Sequence, residues 1–178
     1  NIKLYSKNLT INSILLNDGN NIEKLVAVGT NDFDIITFSS KNVLSKGQYQ
    51  LSLSFEGKYT DTGNGLFKVT ENIENYLFTQ FQAMLARTVF PTFDQPNFKI
   101  PFQFKISVPK QYLVISNTPL MKKSTDAGWD TFLFEPTEPI YTDVLAFAVG
   151  DFDSIDIPNM QVPSKLYVVK GKLAATKY

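Results

Sequence analysis

The run GQYQLSLSFE, Gly47 to Glu56, sets Tyr49, Leu51, Leu53 and Phe55 on one side of an extended chain and Gln48, Gln50, Ser52, Ser54 and Glu56 on the other. Side chains alternate across the two faces of a strand, so this period of two predicts a β-strand with one face on a core and one in water. The run IPFQFKISV, Ile100 to Val108, repeats the pattern, with Ile100, Phe102, Phe104, Ile106 and Val108 on its apolar side. Shorter strand-like runs are Ile2–Tyr5, Leu9–Leu16, Lys24–Val28 and Asp34–Phe38, then Tyr112–Ser116, Thr131–Glu135, Leu166–Val169 and Leu173–Thr176. Asn17-Asp18-Gly19-Asn20 is turn chemistry between two of them. Val144–Val149 is apolar on both faces, which predicts a central, covered strand. The best helical window, Gln82–Arg87, is about a turn and a half long. The expected fold is therefore all-β: a sandwich-like stack of twisted, mostly antiparallel or mixed sheets, with at most one or two short helical turns.

The chain has 178 residues, enough for one domain with its own core. All nine prolines lie at or after Pro91, but strands are expected on both sides of that change, so residues 1–178 read as a single domain. Seventeen basic and seventeen acidic residues cancel, which supplies no electrostatic drive toward nucleic acid or an anionic membrane. No apolar run approaches a membrane span. There is no cysteine, so disulfide and thiolate chemistry are excluded and a reducing compartment, the cytoplasm, fits best. There is no histidine, which removes most zinc sites, the His-based nucleophilic triads and the commonest general base. The start at Asn1, without a methionine, reads as that of a fragment.

Several motifs have ordinary explanations. Gly63-Asn64-Gly65 is too short for a phosphate loop and reads as a turn. Glu71 with Glu74, or Asp151 with Asp153, has the composition of a glycosidase pair, but sequence spacing does not set a distance across a cleft. Asp151, Asp153 and Asp156 lack the glycine and terminal glutamate of a calcium loop. Asn8-Leu9-Thr10 is a lone glycosylation sequon in an asparagine-rich chain.

One stretch differs from the rest: TQFQAMLARTVFPTFDQP, Thr79 to Pro96. Pro91 and Pro96 hold the residues before them in extended or turn conformations. Arg87 is the only arginine, and its planar fork suits a carboxylate such as Asp94. These four residues read as a locked, buried corner. Gln80 and Gln82 share parity in an extended Leu77–Gln82 segment. They are either two surface amides on a half-wet strand or the polar wall of a cleft.

The segment from Tyr76 to Pro119 resembles the amino-terminal domain of zinc aminopeptidases of the aminopeptidase N and leukotriene hydrolase type. The family pattern T-Q-x-(E/Q), A-R, F-P-C-F-D-E-P, a lysine, and S-N-x-P is matched by Thr79–Gln82, Ala86-Arg87, Phe90–Pro96, Lys99 and Ser116–Pro119. Gly65-Leu66-Phe67 is similar to the family's G-L-Y, and Leu145–Phe152 to its L-A-F-x-V-G-x-F strand. The likeness covers most of the chain, from Gly47 onward. Thr92 replaces a usual cysteine and Gln95 a usual glutamate.

The resemblance implies a saddle-like stack of sheets resting on a catalytic domain that follows it. It implies that the parent releases amino-terminal residues from peptides with a zinc-activated water. The zinc would be held by H-E-x-x-H and a further glutamate in the following domain, beside a G-A-M-E-N strand, and none of these motifs is present here. It implies that Gln82 accepts the substrate's α-amino group and that Gln80 walls the first side-chain pocket. This chain would be the amino-terminal β-domain, short of its first strands and without the catalytic domain. It would bind no zinc, be inactive alone, and expose an apolar patch that favours self-association. Its partners would be the peptide amino terminus and the catalytic domain of the same protein. A non-catalytic scaffold that keeps the same β-domain is the alternative, and an unrelated adhesive sandwich a third.

Overall fold

The computed structural model describes residues 1–176. The strands are, in order, β1 (Ile2–Tyr5), β2 (Thr10–Asn17), β3 (Ile22–Lys24), β4 (Val26–Thr30), β5 (Ile35–Ser39) and β6 (Gln50–Glu56). Then come β7 (Gly65–Glu71), β8 (Glu74–Gln80), β9 (Lys105–Pro109), β10 (Leu113–Ser116), β11 (Leu120–Asp126) and β12 (Trp129–Phe134). The last are β13 (Phe147–Gly150), β14 (Phe152–Ile157) and β15 (Ser164–Val169). Among the described residues there is no α-helix. Three short 3-10 turns, Ala86–Thr88, Thr142–Val144 and Leu173–Thr176, exceed the one or two at most that the sequence led us to expect. The fold is all-β, as expected.

The amino-terminal third forms two three-stranded sheets, β1-β5-β4 and β3-β2-β6. Their facing side chains, Leu4, Ile14, Leu16, Leu25, Ile36 and Phe38, make one core cluster. β6 shows the alternation of its sequence: Leu51, Leu53 and Phe55 are half-buried while Gln50, Ser52, Ser54 and Glu56 are exposed. In the β2–β3 turn, Asp18 Oδ1 accepts the backbone N–H groups of Asn20 and Asn21 at 2.8 and 2.7 Å. Gly19 takes the positive φ of 93° that the turn needs. The single strand expected over Lys24–Val28 is two. At Leu25 the chain passes from one sheet to the other, and the buried Leu25 donates its N–H to Ile14 O at 3.0 Å.

The second half is built on a four-stranded sheet, β10-β13-β8-β7, and a three-stranded sheet, β11-β12-β9. Val108, Val114, Phe132, Phe134 and Val149 form the core cluster shared by these two sheets. β14 and β15 form a separate hairpin. Every ladder between named strands is antiparallel, and a parallel bridge joins Thr60 to Phe67.

Three further strand expectations are corrected. Within Ile100–Val108 only Lys105 onward joins a ladder. The stretch before it is extended but bonded piecemeal, through an Ile100–Ile140 bridge and Thr137 N–H to Phe102 O at 2.8 Å. Pro101 on one side and Pro136 and Pro139 on the other have no N–H to extend a ladder. Val144–Val149 splits into the end of a 3-10 turn and β13, which is central in its sheet. Leu173–Thr176 is a 3-10 turn, not a strand.

Candidate functional site

β8 delivers the candidate residues. It is anchored from within: Tyr76 is buried and its hydroxyl donates to Asp151 O at 3.0 Å. Thr79 Oγ1 donates to Phe147 O at 3.1 Å and accepts the Phe147 N–H at 2.9 Å. The strand stops at Gln80 instead of running on to Gln82. Phe81, 1% exposed, turns inward and meets Phe90 edge-on, with ring centroids 5.9 Å apart. Gln80 and Gln82 on either side of it are both exposed. Gln82 donates its backbone N–H to Gln80 Oε1 at 3.0 Å, and the following Gln82–Ala83 peptide is cis. The Gln80 carbonyl is thereby held by the chain, whereas the Gln82 side-chain amide faces solvent.

The chain then coils tightly. Leu85 N–H reaches Phe81 O at 2.9 Å, and Phe90 N–H reaches Ala86 O at 3.0 Å. This brings Arg87 and Asp94 together. Arg87 Nε donates to Asp94 Oδ2 at 2.8 Å, Arg87 N–H to the same oxygen at 3.3 Å, and Arg87 Nη2 to Asp94 O at 3.1 Å. Arg87 is 8% exposed and Asp94 2%. The remaining carboxylate oxygen, Asp94 Oδ1, accepts the Thr142 hydroxyl at 2.8 Å. The guanidinium also lies over the Tyr5 ring, 4.0 Å from its centroid.

Pro91 and Pro96 bracket this turn. Between them Thr92 pairs with Tyr5, its carbonyl accepting the Tyr5 N–H at 2.7 Å and its N–H reaching Tyr5 O at 3.0 Å. Gln95 Nε2 donates to the Tyr5 hydroxyl at 2.6 Å. Tyr5 and Thr142 are members of the corner that sequence reasoning missed. They lie 90 residues before Gln95 and 48 residues after Asp94, and no local pattern marks them.

Three hollows flank the turn. One of about 540 Å³ is lined by Asn8, Glu56, Lys58, Tyr59, Leu85 and Thr88 among others. A second, about 550 Å³, is lined by Tyr5, Asp34, Met84, Arg87, Gln95 and Pro96 among others. The third, about 380 Å³, is lined by Ala83, Met84, Gln95, Pro96, Tyr141 and Asp143 among others. Met84, Phe93 and Phe98 are exposed beside the corner, and the two phenylalanines stack with centroids 5.0 Å apart.

Four of the candidate acidic residues, Asp151, Asp153, Asp156 and Glu71, make contacts within the fold. Asp151 pairs with Lys170 at 2.6 Å, Asp153 Oδ2 accepts the Gly171 N–H at 2.7 Å, and Asp156 pairs with Lys165 at 3.3 Å. Glu71 pairs with Lys172 at 2.8 Å. Asp151 raises the pKa of the Lys170 ammonium, and Glu71 that of Lys172. Lys123 and the Thr125 hydroxyl hold the Asp130 carboxyl below the ordinary carboxylate range.

A zinc ion needs nitrogen, sulfur or carboxylate donors that converge. The chain has no histidine or cysteine, and among the described residues no group of three or more acidic side chains converges on a metal position. The residues present do not fit zinc. No helix among the described residues is long and apolar enough to cross a membrane.

The family model described as "Peptidase M1 N-terminal domain" matches residues 1–143, beginning ahead of the Gly47 at which the likeness was drawn from sequence. Aminopeptidase N of Streptomyces lividans is 38% identical over 114 residues, 63% of this chain and 13% of that protein. Human glutamyl aminopeptidase is 35% identical over 138 residues, 74% of this chain and 14% of its own length. Human endoplasmic reticulum aminopeptidase 1 is 33% identical over 137 residues, 73% of this chain and 15% of its own. The chain thus aligns with only a small part, 13–15%, of each of these relatives.

Proposed function

The chain belongs to the peptidase M1 N-terminal domain family, and on that premise we propose that it is the single amino-terminal β-domain of a zinc aminopeptidase and binds the substrate's α-amine. Gln82 is the amine acceptor. An α-ammonium brings three N–H donors and needs oxygens to receive them, and a glutamine carbonyl offers a neutral one. The carrying observation is the pair at the end of β8, Gln80 as its last residue and Gln82 two residues on. Gln80 and Gln82 are both exposed, and the Gln80 carbonyl is occupied by the Gln82 N–H at 3.0 Å. That leaves the Gln82 amide as the one facing outward, and Gln80 as a wall beside it.

The buried Arg87–Asp94 pair, with Pro91 and Pro96, supports a fixed position for this edge. Fixing a binding group in advance matters because a mobile one must be ordered each time substrate arrives. The exposed Met84, Phe93 and Phe98 support docking of a catalytic domain on the same side. Zinc chemistry belongs to that domain, since this chain has no histidine or cysteine and its described residues offer the metal no converging donor set. The chain alone is inactive on this reading. The cysteine-free composition supports a cytoplasmic parent.

The test is kinetic, in the full-length parent. Gln82→Ala removes one hydrogen bond to a charged group, so kcat/KM for aminoacyl reporters falls by roughly tenfold or more. Unchanged kinetics would remove Gln82 from amine recognition. A parent that turns over no aminoacyl reporter and carries no H-E-x-x-H after Tyr178 would leave the scaffold reading in its place.

A further inference from the structure

The hollow of about 380 Å³ beside Gln82 has a feature that amine binding does not use. Its walls include Ala83 and Met84, the two residues that follow Gln82, together with Pro96, Tyr141 and Asp143. Met84, Pro96 and Tyr141 present carbon surface. Two carboxylates reach the lining, and they differ in what they have left to accept. Asp94 is spent, with Oδ2 on Arg87 and Oδ1 on Thr142. Asp143 has Oδ1 buried with no hydrogen-bond partner, the one such side-chain atom among the described residues. Lys99, whose Nζ stands 4.5 Å from the Tyr141 ring centroid, makes no ion pair with it among the described residues.

A buried carboxylate oxygen without a donor is costly, and a cation or donor that binds there is one way such a group is satisfied. The Asp χ2 torsion is soft and roughly two-fold, so a small rotation can offer either oxygen to the hollow. Carbon walls with one uncompensated carboxylate match a cation on an aliphatic stem, whose methylenes line the walls while the charge meets the acid. Because the lining of the hollow starts at the residue after Gln82, a substrate whose amine sits on Gln82 can place its first side chain there. We propose that Asp143 is a specificity-determining residue that selects peptides beginning with lysine or arginine. The proposal rests on the reading of Gln82 as the amine acceptor.

The experiment uses the full-length parent and a matched reporter pair: lysyl, and norleucyl as its uncharged counterpart of similar length. The quantity read is the ratio of their kcat/KM values. Asp143→Asn keeps the shape and removes the charge, and it should lower the lysyl-to-norleucyl ratio by roughly tenfold to a hundredfold, the worth of one charge-assisted hydrogen bond. An arginyl reporter should follow the lysyl one. Asp143→Ser gives a second, smaller side chain and should lower the ratio as well. An unchanged ratio in both variants overturns the inference while leaving amine binding standing. A uniform loss on all reporters, with a lowered unfolding temperature, overturns it in favour of a structural or domain-docking role. Absence of turnover of every reporter by the wild-type parent defeats the aminopeptidase reading itself.

Discussion

Removing the Asp94 carboxylate is the sharpest test of the corner that carries Gln82. In Asp94→Ala three donors lose their acceptor: Arg87 Nε at 2.8 Å, Arg87 N–H at 3.3 Å and Thr142 Oγ1 at 2.8 Å. The guanidinium, 8% exposed, is left without a counter-charge. Breaking a buried ion pair on one side costs about 3–5 kcal/mol, because the surviving charge stays desolvated. With a urea m-value of about 2 kcal/mol/M, the unfolding midpoint of the chain should fall by about 1.5–2.5 M. Trp129, the single tryptophan, gives a fluorescence readout. Asp156→Ala is the control. Its partner Lys165 lies at 3.3 Å but the side chains are 43% and 84% exposed, so the loss should be no more than about 1 kcal/mol. Arg87→Met combined with Asp94→Ala removes both charges and should cost less than the sum of the single changes. A loss in Asp94→Ala no larger than in Asp156→Ala, or strict additivity in the double variant, would refute the idea that this pair locks the corner.

Two further outcomes follow from the packing and the charges. Gly150→Ala would drive a Cβ into the Tyr76 ring, which is buried and pinned by its hydroxyl to Asp151 O, so a loss of about 1–3 kcal/mol is expected in the same urea assay; a neutral result would mean that this part of the sheet yields easily. The Asp130 pKa is depressed in the folded state, chiefly by Lys123, so in that range the unfolded chain binds more protons than the folded one. Its stabilisation is present above the ordinary aspartate value of about 4 and is lost as pH falls through the lower, folded value. Urea midpoints measured between about pH 5 and pH 2 should therefore fall less steeply in Lys123→Met than in the wild-type chain; identical slopes would exclude the Lys123 contribution.

The parts of the fold that could be read in advance are those in which one face meets a core and the other meets water. β6 is the clearest, its half-buried and exposed residues alternating without a break. β1 and the turn at Asp18-Gly19 are local in the same sense, since their pattern and turn chemistry lie within a few residues. Where the register with water disappears, so does the signal. β11 is exposed along its whole length and carries no apolar period, so nothing in Leu120–Asp126 distinguishes it from a loop. The break at Leu25 has the opposite cause, because Val26 onward continues as strand but in a different sheet, and an apolar run does not say which sheet it joins.

For the site, the sequence by itself determined the residue types and much of their local order. The parity of Gln80 and Gln82 about an inward Phe81, and the match of Arg87 to a nearby carboxylate, follow from the chemistry of neighbours in the chain. Tertiary structure decided everything that depends on distant partners. It stopped β8 at Gln80 and set the Gln80 carbonyl on the Gln82 N–H. It supplied Thr142 to the second oxygen of Asp94 and Tyr5 to the guanidinium, and it left Asp143 beside the hollow with a buried oxygen unpaired. The physical reason is range: strand alternation and turn chemistry act over a few residues, whereas the accounting of buried charges and hydrogen bonds closes only when segments far apart in sequence are packed together.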